Sequence, residues 1–380
     1  MSERVKFDFK IADPDNFQTY PRECPRCLFN ADFANVPPNG QCNYCDLQDQ
    51  LRAEANPSLW QPLLNKIKRA GENKPYDVQI GISGGEDSSI MLYMAVKVWN
   101  LRPLVIHFNN RTNRPEADSN IRVLTKALNV NFIEYFVDQK EYDALCDAFL
   151  LAGVQDADIP NDIAMAKLMY SAARQYGIKY ILNGHDYARE GSSPSAWSYM
   201  DARYVRSVFK TWGRLGNKLK NYPLYTFWDQ IMSGILRIKQ VRPFHFMPDL
   251  DRASVLQTLK AIGWQDYGGK HNENIYTAFV GNFLLPRKFN IDKRRTYLSA
   301  QIREGYIDKE YAKEILKTPA EFNLADLGDR GPHILKLVNL SKIGNRLNYD
   351  RYDFKRLKPI IWLLYKMGIV ARTFFYKYTQ

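Results

Sequence analysis

The chain has 380 residues and a mass of 44.2 kDa, enough for roughly two to three domains. Hydrophobic residues make up 45% and charged residues 25%, which is a globular composition and excludes collagen-like, disordered and small disulfide-stapled classes. The net charge of +12 is uneven: residues 201–380 carry 32 Lys and Arg against 16 Asp and Glu, and residues 1–200 carry 21 against 25. This asymmetry indicates a polyanionic partner, namely nucleic acid, an anionic membrane or phosphorylated small molecules.

The N-terminal region contains a cysteine motif. Residues 1–10 have no continuous apolar run, so they do not form a secretory signal, and residues 1–20 read as an extended lead-in. Cys24-x2-Cys27 and Cys42-x2-Cys45 have the spacing of two knuckles that hold one Zn²⁺. Four thiolates leave no open coordination position, so the ion is expected to be structural; an iron–sulfur centre and unrelated thiols are the alternatives. Together these features predict a cytoplasmic protein.

The middle of the chain predicts an α/β domain. Residues 48–70 have helical spacing and link the cysteine motif to this domain. Beyond residue 77, short apolar runs alternate with amphipathic segments, which predicts βαβ units in a doubly wound parallel sheet. The predicted strands are residues 78–82, 104–108, 132–136 and 180–182. The predicted helices are residues 88–99, 117–128, 142–151 and 163–176.

A glycine-rich turn follows the first predicted strand. The sequence is Ser83-Gly84-Gly85-Glu86-Asp87-Ser88-Ser89, and a helix is predicted directly after it. Two glycines bring backbone N–H groups close to an anion, and the positive end of the helix dipole points to the same place. Asp87 could hold Mg²⁺ against phosphate oxygens. The turn is neither a Walker A loop nor a G-x-G-x-x-G fingerprint.

This turn resembles the SGGxDS signature of the PP-loop ATP pyrophosphatases, which have a HUP-like fold. That resemblance implies cleavage of ATP between the α- and β-phosphates and adenylation of a carbonyl oxygen. It also implies that His107 and Asn109, at the end of the second predicted strand, flank the nucleotide. Gly184 and His185 resemble a second superfamily motif near ATP, although Asn-Gly-His-Asp is also ordinary turn chemistry.

Beyond residue 184 the strand signal fades, and aromatic and basic residues alternate with helical periodicity. Five cations lie within residues 287–295, a cluster that can grip phosphates or form a solvated basic face. The apolar stretch 359–370 is too short to cross a bilayer; it predicts a core helix, with a membrane-surface contact as the alternative. Cys146 lies alone on a helical pattern and is expected to be a buried apolar residue.

The region 263–302, with Gly-Gly-Lys-His, Leu-Pro-Arg-Lys-Phe and Asp-Lys-Arg-Arg, resembles the N-acetyl sugar amidotransferase family of surface-polysaccharide and O-antigen biosynthesis. Those proteins also carry the cysteine knuckles and the SGGxDS loop, so the resemblance covers most of residues 20–315. It implies conversion of an acetamido group on a nucleotide-activated sugar into an acetamidino group for lipopolysaccharide. Ammonia would come from a separate glutaminase–cyclase pair. Family members usually carry Glu where this chain has His185.

The motifs and the resemblance together define the expected site residues. The catalytic set is Asp87, Ser88, His185 and Lys270. The ATP-binding set is Ser83, Gly84, Gly85, Asp87, Ser88, Ser89, His107, Asn109, Gly184 and His185. The set for substrate phosphate is Lys270, His271, Arg287, Lys288, Lys293, Arg294 and Arg295. The metal ligands are Cys24, Cys27, Cys42 and Cys45 for structural Zn²⁺ and Asp87 for the Mg²⁺ that accompanies ATP.

The expected organisation is a zinc-binding module with a linker helix at 1–70, a PP-loop ATP pyrophosphatase domain at 71–200 and a basic helical region for substrate or partner at 201–380. The leading function is an ATP-dependent, AMP-forming amidotransferase, a carbon–nitrogen ligase, with no nucleic acid partner and no membrane span; a homo-oligomer is compatible with it. One alternative is a tRNA-modifying PP-loop enzyme resembling the 2-thiolases, which generally use an additional pair of catalytic cysteines. The other alternative is a non-enzymatic scaffold.

Overall fold

The computed structural model describes residues 23–370, apart from 33, 195, 196, 217 and 352–354, together with residue 375. The predicted lead-in of residues 1–20 lies outside the described residues.

A parallel sheet of five strands lies at the centre, in the order β3-β2-β1-β4-β5. The strands are β1 (Val78–Gly81), β2 (Pro103–Asn109), β3 (Asn131–Phe136), β4 (Tyr180–Leu182) and β5 (Lys239–Val241). The four predicted strands are present, and their ends agree with the prediction to within one residue. The sequence signal missed β5 because this short edge strand buries only Val241 and exposes Lys239 and Gln240.

Both faces of the sheet are covered. The helices of the α/β region are α3 (Glu86–Tyr93), which continues as a π turn to Val98, α4 (Pro115–Ala127), α5 (Gln139–Ala152), α6 (Ile159–Gln175) and α10 (Arg252–Ile262). On one face of the sheet, Ile80 and Val105 pack into a core with α3, α4 and α10. On the other face, Leu104 and Ile181 pack against side chains of α6. Neighbouring residues of one strand thus enter different cores, as expected for a sheet buried on both sides.

The predicted linker helix is two helices, α1 (Asn43–Glu54) and α2 (Trp60–Gly71). The break lies at Asn56-Pro57, where Asn56 is extended and its side chain accepts a hydrogen bond from the Ser58 N–H. Proline has no N–H to continue the first helix, and it disfavours the helical conformation in the preceding residue.

The rest of the chain is mainly helical. Its helices are α7 (Tyr187–Glu190), α8 (Ala202–Trp212), α9 (Phe227–Ile235), α11 (Ile275–Phe279), α12 (Leu285–Phe289), α13 (Arg294–Glu304), α14 (Lys309–Lys317), α15 (Gly331–Leu340) and α16 (Lys358–Lys366). The fold-class prediction is therefore confirmed: a doubly wound parallel sheet, an N-terminal four-cysteine module and a helical C-terminal region. The largest core joins residues from 137–164 to residues from 197–338, and the predicted three-part division stays a prediction.

The core-helix prediction for 359–370 is wrong. Of the residues of α16, only Ile361 is buried, while Ile360, Leu363 and nearby Met367 are more than half exposed. Among the described residues, no helix combines the length and the apolarity needed to cross a bilayer.

Candidate functional site: a crevice between the first and fourth strands

The order of the sheet reverses between β1 and β4, because β2 and β3 lie on one side of β1 and β4 and β5 on the other. Such a reversal opens a crevice outside the carboxyl ends of the strands, where ligands bind in doubly wound sheets. The glycine-rich loop 83–89 follows β1, and residues 183–186 follow β4. Both motifs predicted near the nucleotide therefore flank this crevice.

The loop 83–89 is shaped by its own hydrogen bonds. Ser88 Oγ accepts the Ser83 N–H at 3.3 Å and donates to the Gly85 carbonyl at 3.1 Å. Gly84 has φ of +76°, and a Cβ there would lie 2.2 Å from the Ala117 carbonyl oxygen, so only glycine fits. The loop ends where α3 begins at Glu86, and the first-turn N–H groups of this helix lack intrahelical acceptors. The Gly85 N–H also donates within the loop, to Ser83 Oγ at 3.2 Å, and anion binding by the loop stays a prediction.

A segment far away in sequence, residues 264–274, covers the loop. The Tyr267 hydroxyl accepts the Glu86 N–H at 3.0 Å, and Trp264 Nε1 donates to Ser89 Oγ at 3.1 Å. Glu273 Oε1 lies 3.3 Å from Ser83 Oγ, while Glu273 Oε2 is buried without a hydrogen-bond partner among the described residues. The cover segment thus brings a carboxylate oxygen with free acceptor capacity to the loop.

Asp87 lies between two cations. Its Oδ1 accepts a hydrogen bond from Nη2 of Arg252, and its Oδ2 lies 3.3 Å from Lys270 Nζ. Arg252 also lies 3.2 Å from Glu86 and 3.6 Å from Asp186. Burial lowers the pKa of Arg252, but these carboxylates outweigh burial and raise it. The Arg252 side chain is 8% exposed, and its Nε and Nη1 make no hydrogen bond to the described residues.

A second polar cluster forms around Glu190, next to Lys270. His185 Nδ1 lies 2.8 Å from Glu190 Oε2, and Glu190 lies 3.5 Å from Lys270 and 3.9 Å from His271. Burial raises the pKa of Glu190, but His185 and the neighbouring cations more than offset this and lower it. Glu190 is therefore an ionised carboxylate.

Other predicted nucleotide-site residues form the walls and floor. Gly184 approaches Asp87 so closely that a Cβ would lie 2.9 Å from the Asp87 carbonyl oxygen. His107 is buried, with Nδ1 2.8 Å from the Ile82 carbonyl and Nε2 3.1 Å from the Asn113 side chain. Burial lowers the pKa of His107, which favours neutral imidazole. Asn109 is buried and donates to the exposed Glu134 on the edge strand β3 at 2.6 Å.

The five cations of the run 287–295 point to different neighbours. Arg287 lies over the Phe283 ring at 4.3 Å and donates to a backbone carbonyl. Lys288 donates to the Ser341 carbonyl at 2.8 Å at the C-terminal end of α15, and burial lowers its pKa to about 8. The structure does not gather the run into one phosphate-facing patch.

The remaining cations of this run have acidic or backbone partners as well. Arg294 pairs with Asp292 at 2.7 Å, and Arg295 donates to the Leu28 carbonyl at 3.2 Å. The positive charge of Lys293 acts on buried Asp158, where burial raises the carboxyl pKa and Lys293 lowers it. By contrast, Lys270, from the Gly-Gly-Lys-His motif, reaches Asp87 directly.

The four cysteines of the N-terminal module meet in one buried cluster. Their sulfurs lie 3.8 Å (Cys24 to Cys45), 3.7 Å (Cys27 to Cys42) and 3.6 Å (Cys42 to Cys45) apart. A tetrahedral Zn–S bond of about 2.3 Å places sulfurs about 3.8 Å apart. The donor set and its dimensions therefore fit one tetrahedral ion such as zinc, and they are too tight for a multi-iron cluster.

This cysteine cluster is anchored to α13. Arg303 donates to Cys45 Sγ at 3.4 Å and to Cys27 Sγ at 3.3 Å. Burial alone lowers the pKa of Arg303, and the sulfurs outweigh burial and raise it. In the opposite direction, Arg26 of the cysteine module donates to the Arg303 carbonyl at 2.9 Å. Each of the two parts therefore donates hydrogen bonds to the other. The other side of α13 packs on α7, the helix that ends with Glu190.

A cavity of about 290 Å³ adjoins the crevice. Arg252 and Asp186 line it, so one guanidinium separates it from Asp87. Its other walls come from α1, α7, α13 and the segment after β5, and they include Tyr187, Arg189, His245 and Tyr306. The cavity therefore combines aromatic side chains with cations and with the carboxylates of Asp186, Asp249 and Glu304.

Sequence reasoning missed Arg252, Glu273 and Glu190. Arg252 lies at the start of α10, where a helical pattern with an isolated arginine gives no site signal. Glu273 directly follows the Lys270-His271 motif, so its closeness to that motif was the available clue. Glu190 lies one helical turn beyond the predicted His185 motif.

Comparison with known proteins gives one family match and several structural likenesses. Residues 273–341 match the family described as "LPS biosynthesis protein WbpG-like, C-terminal domain". A comparison with curated proteins finds no match.

Three solved structures illustrate the structural likeness. NMN synthetase from Francisella tularensis is 17% identical with a TM-score of 0.28, covering 55% of this chain and 92% of that one. U34-tRNA thiolase NcsA from Methanococcus maripaludis, with its [4Fe-4S] cluster, is 12% identical with a TM-score of 0.32, covering 88% and 100%. NH3-dependent NAD synthetase from Campylobacter jejuni, in complex with nitrate, is 14% identical with a TM-score of 0.27, covering 56% and 99%.

The matched segment begins at Glu273, the residue that contacts the glycine-rich loop. Its helices include α13, which anchors the cysteine cluster. Over residues 273–341 the chain therefore matches the WbpG-like C-terminal domain of LPS biosynthesis, in agreement with the resemblance stated from the sequence, and this segment adjoins the parallel sheet domain.

Proposed function

We propose that the chain is an ATP-dependent synthetase that forms AMP and pyrophosphate and replaces the carbonyl oxygen of an acetamido group with nitrogen. The acceptor is a nucleotide-activated acetamido sugar, and the product is an acetamidino sugar for lipopolysaccharide or another surface glycan. One observation carries the proposal. Asp87 of the SGGEDSS loop contacts Lys270 and Arg252 where the strand order of the sheet reverses.

The chemistry needs activation because an amide carbonyl is a poor electrophile. The carbonyl oxygen attacks the α-phosphorus of ATP, the bond to the β-phosphate breaks, and pyrophosphate leaves. Ammonia then adds to the imidate carbon, a proton is lost, and AMP leaves with the former carbonyl oxygen. The products are an amidine, AMP and pyrophosphate, so every atom is accounted for.

The residues of the crevice divide this work. The loop 83–89 and the start of α3 bind the pyrophosphate through N–H groups and the helix dipole. Lys270 and Arg252, which hold Asp87 in the structure, compensate the negative charge that develops during phosphoryl transfer. Asp87 and Glu273 provide the carboxylate oxygens that fit Mg²⁺, an ion that would neutralise phosphate charge. Glu190 orients His185 and Lys270.

The cavity beside Arg252 is proposed as the site of the sugar substrate. Its volume of about 290 Å³ is near the lower end of ligand pockets. Tyr187 and Tyr306 offer faces for a ring, and Nε of Arg252, which makes no hydrogen bond to the described residues, suits an oxyanion. A sugar held there reaches the loop from the β4 side, opposite to His107 on β2.

Ammonia must arrive from another protein, and we propose a glutaminase–cyclase pair in the cytoplasm as its source. A cysteine-based glutaminase within this chain is unsupported. Cys146, the cysteine outside the four-cysteine cluster, is buried, and burial raises its thiol pKa. The same observation weighs against tRNA thiolation, since Cys146 has no cysteine partner among the described residues and no thiolate character.

The test is a reaction of the purified protein with ATP, Mg²⁺, a high ammonium concentration and a panel of UDP- and CMP-linked acetamido sugars. AMP and pyrophosphate are expected to form only with the correct sugar. Mass spectrometry should show a product lighter by the difference between O and NH. Asp87→Asn should abolish both signals, and Asp308→Asn, a carboxylate that caps α14, serves as the control. Formation of ADP and phosphate instead would overturn the proposal.

A further inference from the structure

An apolar stripe runs along α9 on the surface of the molecule. Trp228, Met232 and Ile235 are 71%, 43% and 55% exposed, and their i, i+4, i+7 spacing puts them on one face of the helix. Large apolar side chains exposed together in this way mark an interaction surface.

A second stripe runs along α16. Ile360, Leu363 and Met367 are 57%, 54% and 63% exposed, and their i, i+3, i+7 spacing again places them on one face. Ile361 is buried in a small core that includes Val370 and Phe227, so α16 is held by a different face. The helix is thus attached to the protein while its second apolar face remains exposed.

The two helices are neighbours. Phe227, the first residue of α9, packs into the core that holds α16. Gly234 on α9 approaches the Ile369 backbone so closely that a Cβ would lie 1.8 Å from its carbonyl oxygen. We call the two stripes together (Trp228, Met232, Ile235, Ile360, Leu363 and Met367) the α9–α16 surface.

Basic residues predominate in the sequence around α16. Residues 354–380 contain six Lys and Arg and no Asp or Glu. Arg356, Lys358 and Lys366 are exposed and form no ion pair with the described residues; Lys366 instead lies over the Trp362 ring at 5.5 Å. Next to α9, the exposed side chains of Arg237 and Lys239 add further positive charge.

We propose that the α9–α16 surface docks onto an anionic membrane surface, with α16 lying in the plane of the headgroups. Exposed aliphatic and Trp side chains flanked by Lys and Arg are the features of helices that lie in the interface without crossing it. An acidic protein patch would satisfy the cations, but it would leave the aliphatic stripe against polar groups. The surplus of uncompensated cations disfavours a second copy of the same chain, because equal charges would face each other.

The experiment measures co-sedimentation of the full-length protein with vesicles of phosphatidylcholine alone and with vesicles containing one-quarter phosphatidylglycerol. Binding is expected only with the anionic vesicles, together with a blue shift of Trp fluorescence. Ile360→Asp/Leu363→Asp should weaken partitioning by about tenfold or more, and Lys358→Glu/Lys366→Glu should do the same through charge alone. Ile343→Asp, at a 68% exposed position outside the surface, is the matched control.

Unchanged melting temperature and unchanged ATP turnover in solution establish that the variants are folded. Because this inference does not depend on the proposed activity, vesicle binding without ATP turnover would leave it standing. Equal binding of all variants, or no vesicle binding by the wild type, overturns it. Self-association or retention of a protein partner that Ile360→Asp/Leu363→Asp abolishes, in the absence of vesicle binding, also overturns it and assigns the surface to a protein.

Discussion

Asp87 is the residue at which the charges of the crevice converge. Its two oxygens face Arg252 and Lys270, so a divalent cation that binds Asp87 must displace at least one of them. The cations in turn need a new partner, and the phosphates of ATP supply it. Binding of nucleotide and metal should therefore be mutually dependent. The metal frees Arg252 or Lys270 for the phosphates, and the phosphates free the Asp87 carboxylate for the metal.

Replacing Arg252 tests this exchange. Arg252→Met leaves Asp87, Glu86 and Asp186 without their shared cation, and we expect the rate of AMP formation to fall on the order of 10²–10³-fold. Arg252→Lys should recover part of that loss, because it keeps the charge but not the fork of donors. Steady-state kinetics and a thermal melt separate catalysis from stability. The control is Lys260→Met on the exposed end of the same helix, and equal rates in both variants would contradict the exchange.

Helix α9 is fixed at its first turn by Asp229. Asp229 accepts hydrogen bonds from the Thr226 N–H and hydroxyl, closing a capping box. It also pairs with Lys167 at 2.7 Å and Arg174 at 3.0 Å, both on α6. Burial raises the pKa of Asp229, but Lys167 and its other partners outweigh this and lower it to about 2. The Asp229 carboxylate thus caps the start of α9 and also connects α9 to α6.

This pKa gives a pH-dependent prediction for Asp229→Asn. A carboxyl whose pKa is lowered by folding stabilises the protein above its ordinary pKa, and this stabilisation disappears as the pH falls through the folded value. We expect the variant to be less stable by about 1–3 kcal/mol at pH 7, with the difference closing between about pH 4 and pH 2. Urea unfolding at several pH values measures it.

Asp251→Asn is the control, since Asp251 caps α10 through the Ser254 N–H without a cation. A destabilisation of Asp229→Asn that does not change with pH would contradict the assignment of the stability to the ionised carboxylate.

At the scale of the whole molecule, the cysteine cluster connects the N-terminal module to the crevice. Arg303 bonds two of the sulfurs, and α13 packs on α7, which carries Glu190. Removing a bound metal should therefore lower both the melting temperature and the affinity for ATP, because the loss of Zn–S bonds frees α13. We expect elemental analysis to find one zinc per chain.

A chelator applied under mild heating, followed by a melt and a nucleotide-binding titration, measures this coupling. Arg303→Met should reproduce part of the loss with the metal still bound. Lys317→Met, an exposed position on neighbouring α14, should not. Loss of metal with unchanged nucleotide affinity would show that the module acts on its own.

The sheet, the loop 83–89 and the cysteine ligands could be predicted from the sequence because each depends on residues close together in the chain. Apolar runs specify strands, and two C-x2-C knuckles specify a ligand set. The partners of these motifs could not be predicted in the same way. Arg252 reaches Asp87 across 165 residues and Tyr267 reaches Glu86 across 181, and no local pattern encodes such contacts.

The basic run 287–295 shows the limit of reasoning from adjacency along the chain. Its cations are adjacent in sequence, but their side chains contact different neighbours, among them the Phe283 ring, Asp292 and the Leu28 carbonyl. Because these cations are close together in the sequence, a common phosphate ligand is expected for them. In the folded chain their side chains lie apart. Lys270 reaches Asp87 because a turn with two positive-φ glycines, Gly268 and Gly269, precedes it.

The contact between the cysteine cluster and Arg303 also sets an order of events during synthesis. Cys45 leaves the ribosome 258 residues before Arg303, so the N-terminal knuckles can take up an ion long before α13 exists. Until α13 is made, Cys27 and Cys45 lack their contact with the Arg303 guanidinium. We therefore expect an ion bound early to protect these thiols, and zinc starvation to reduce the yield of folded protein more than it harms protein already made.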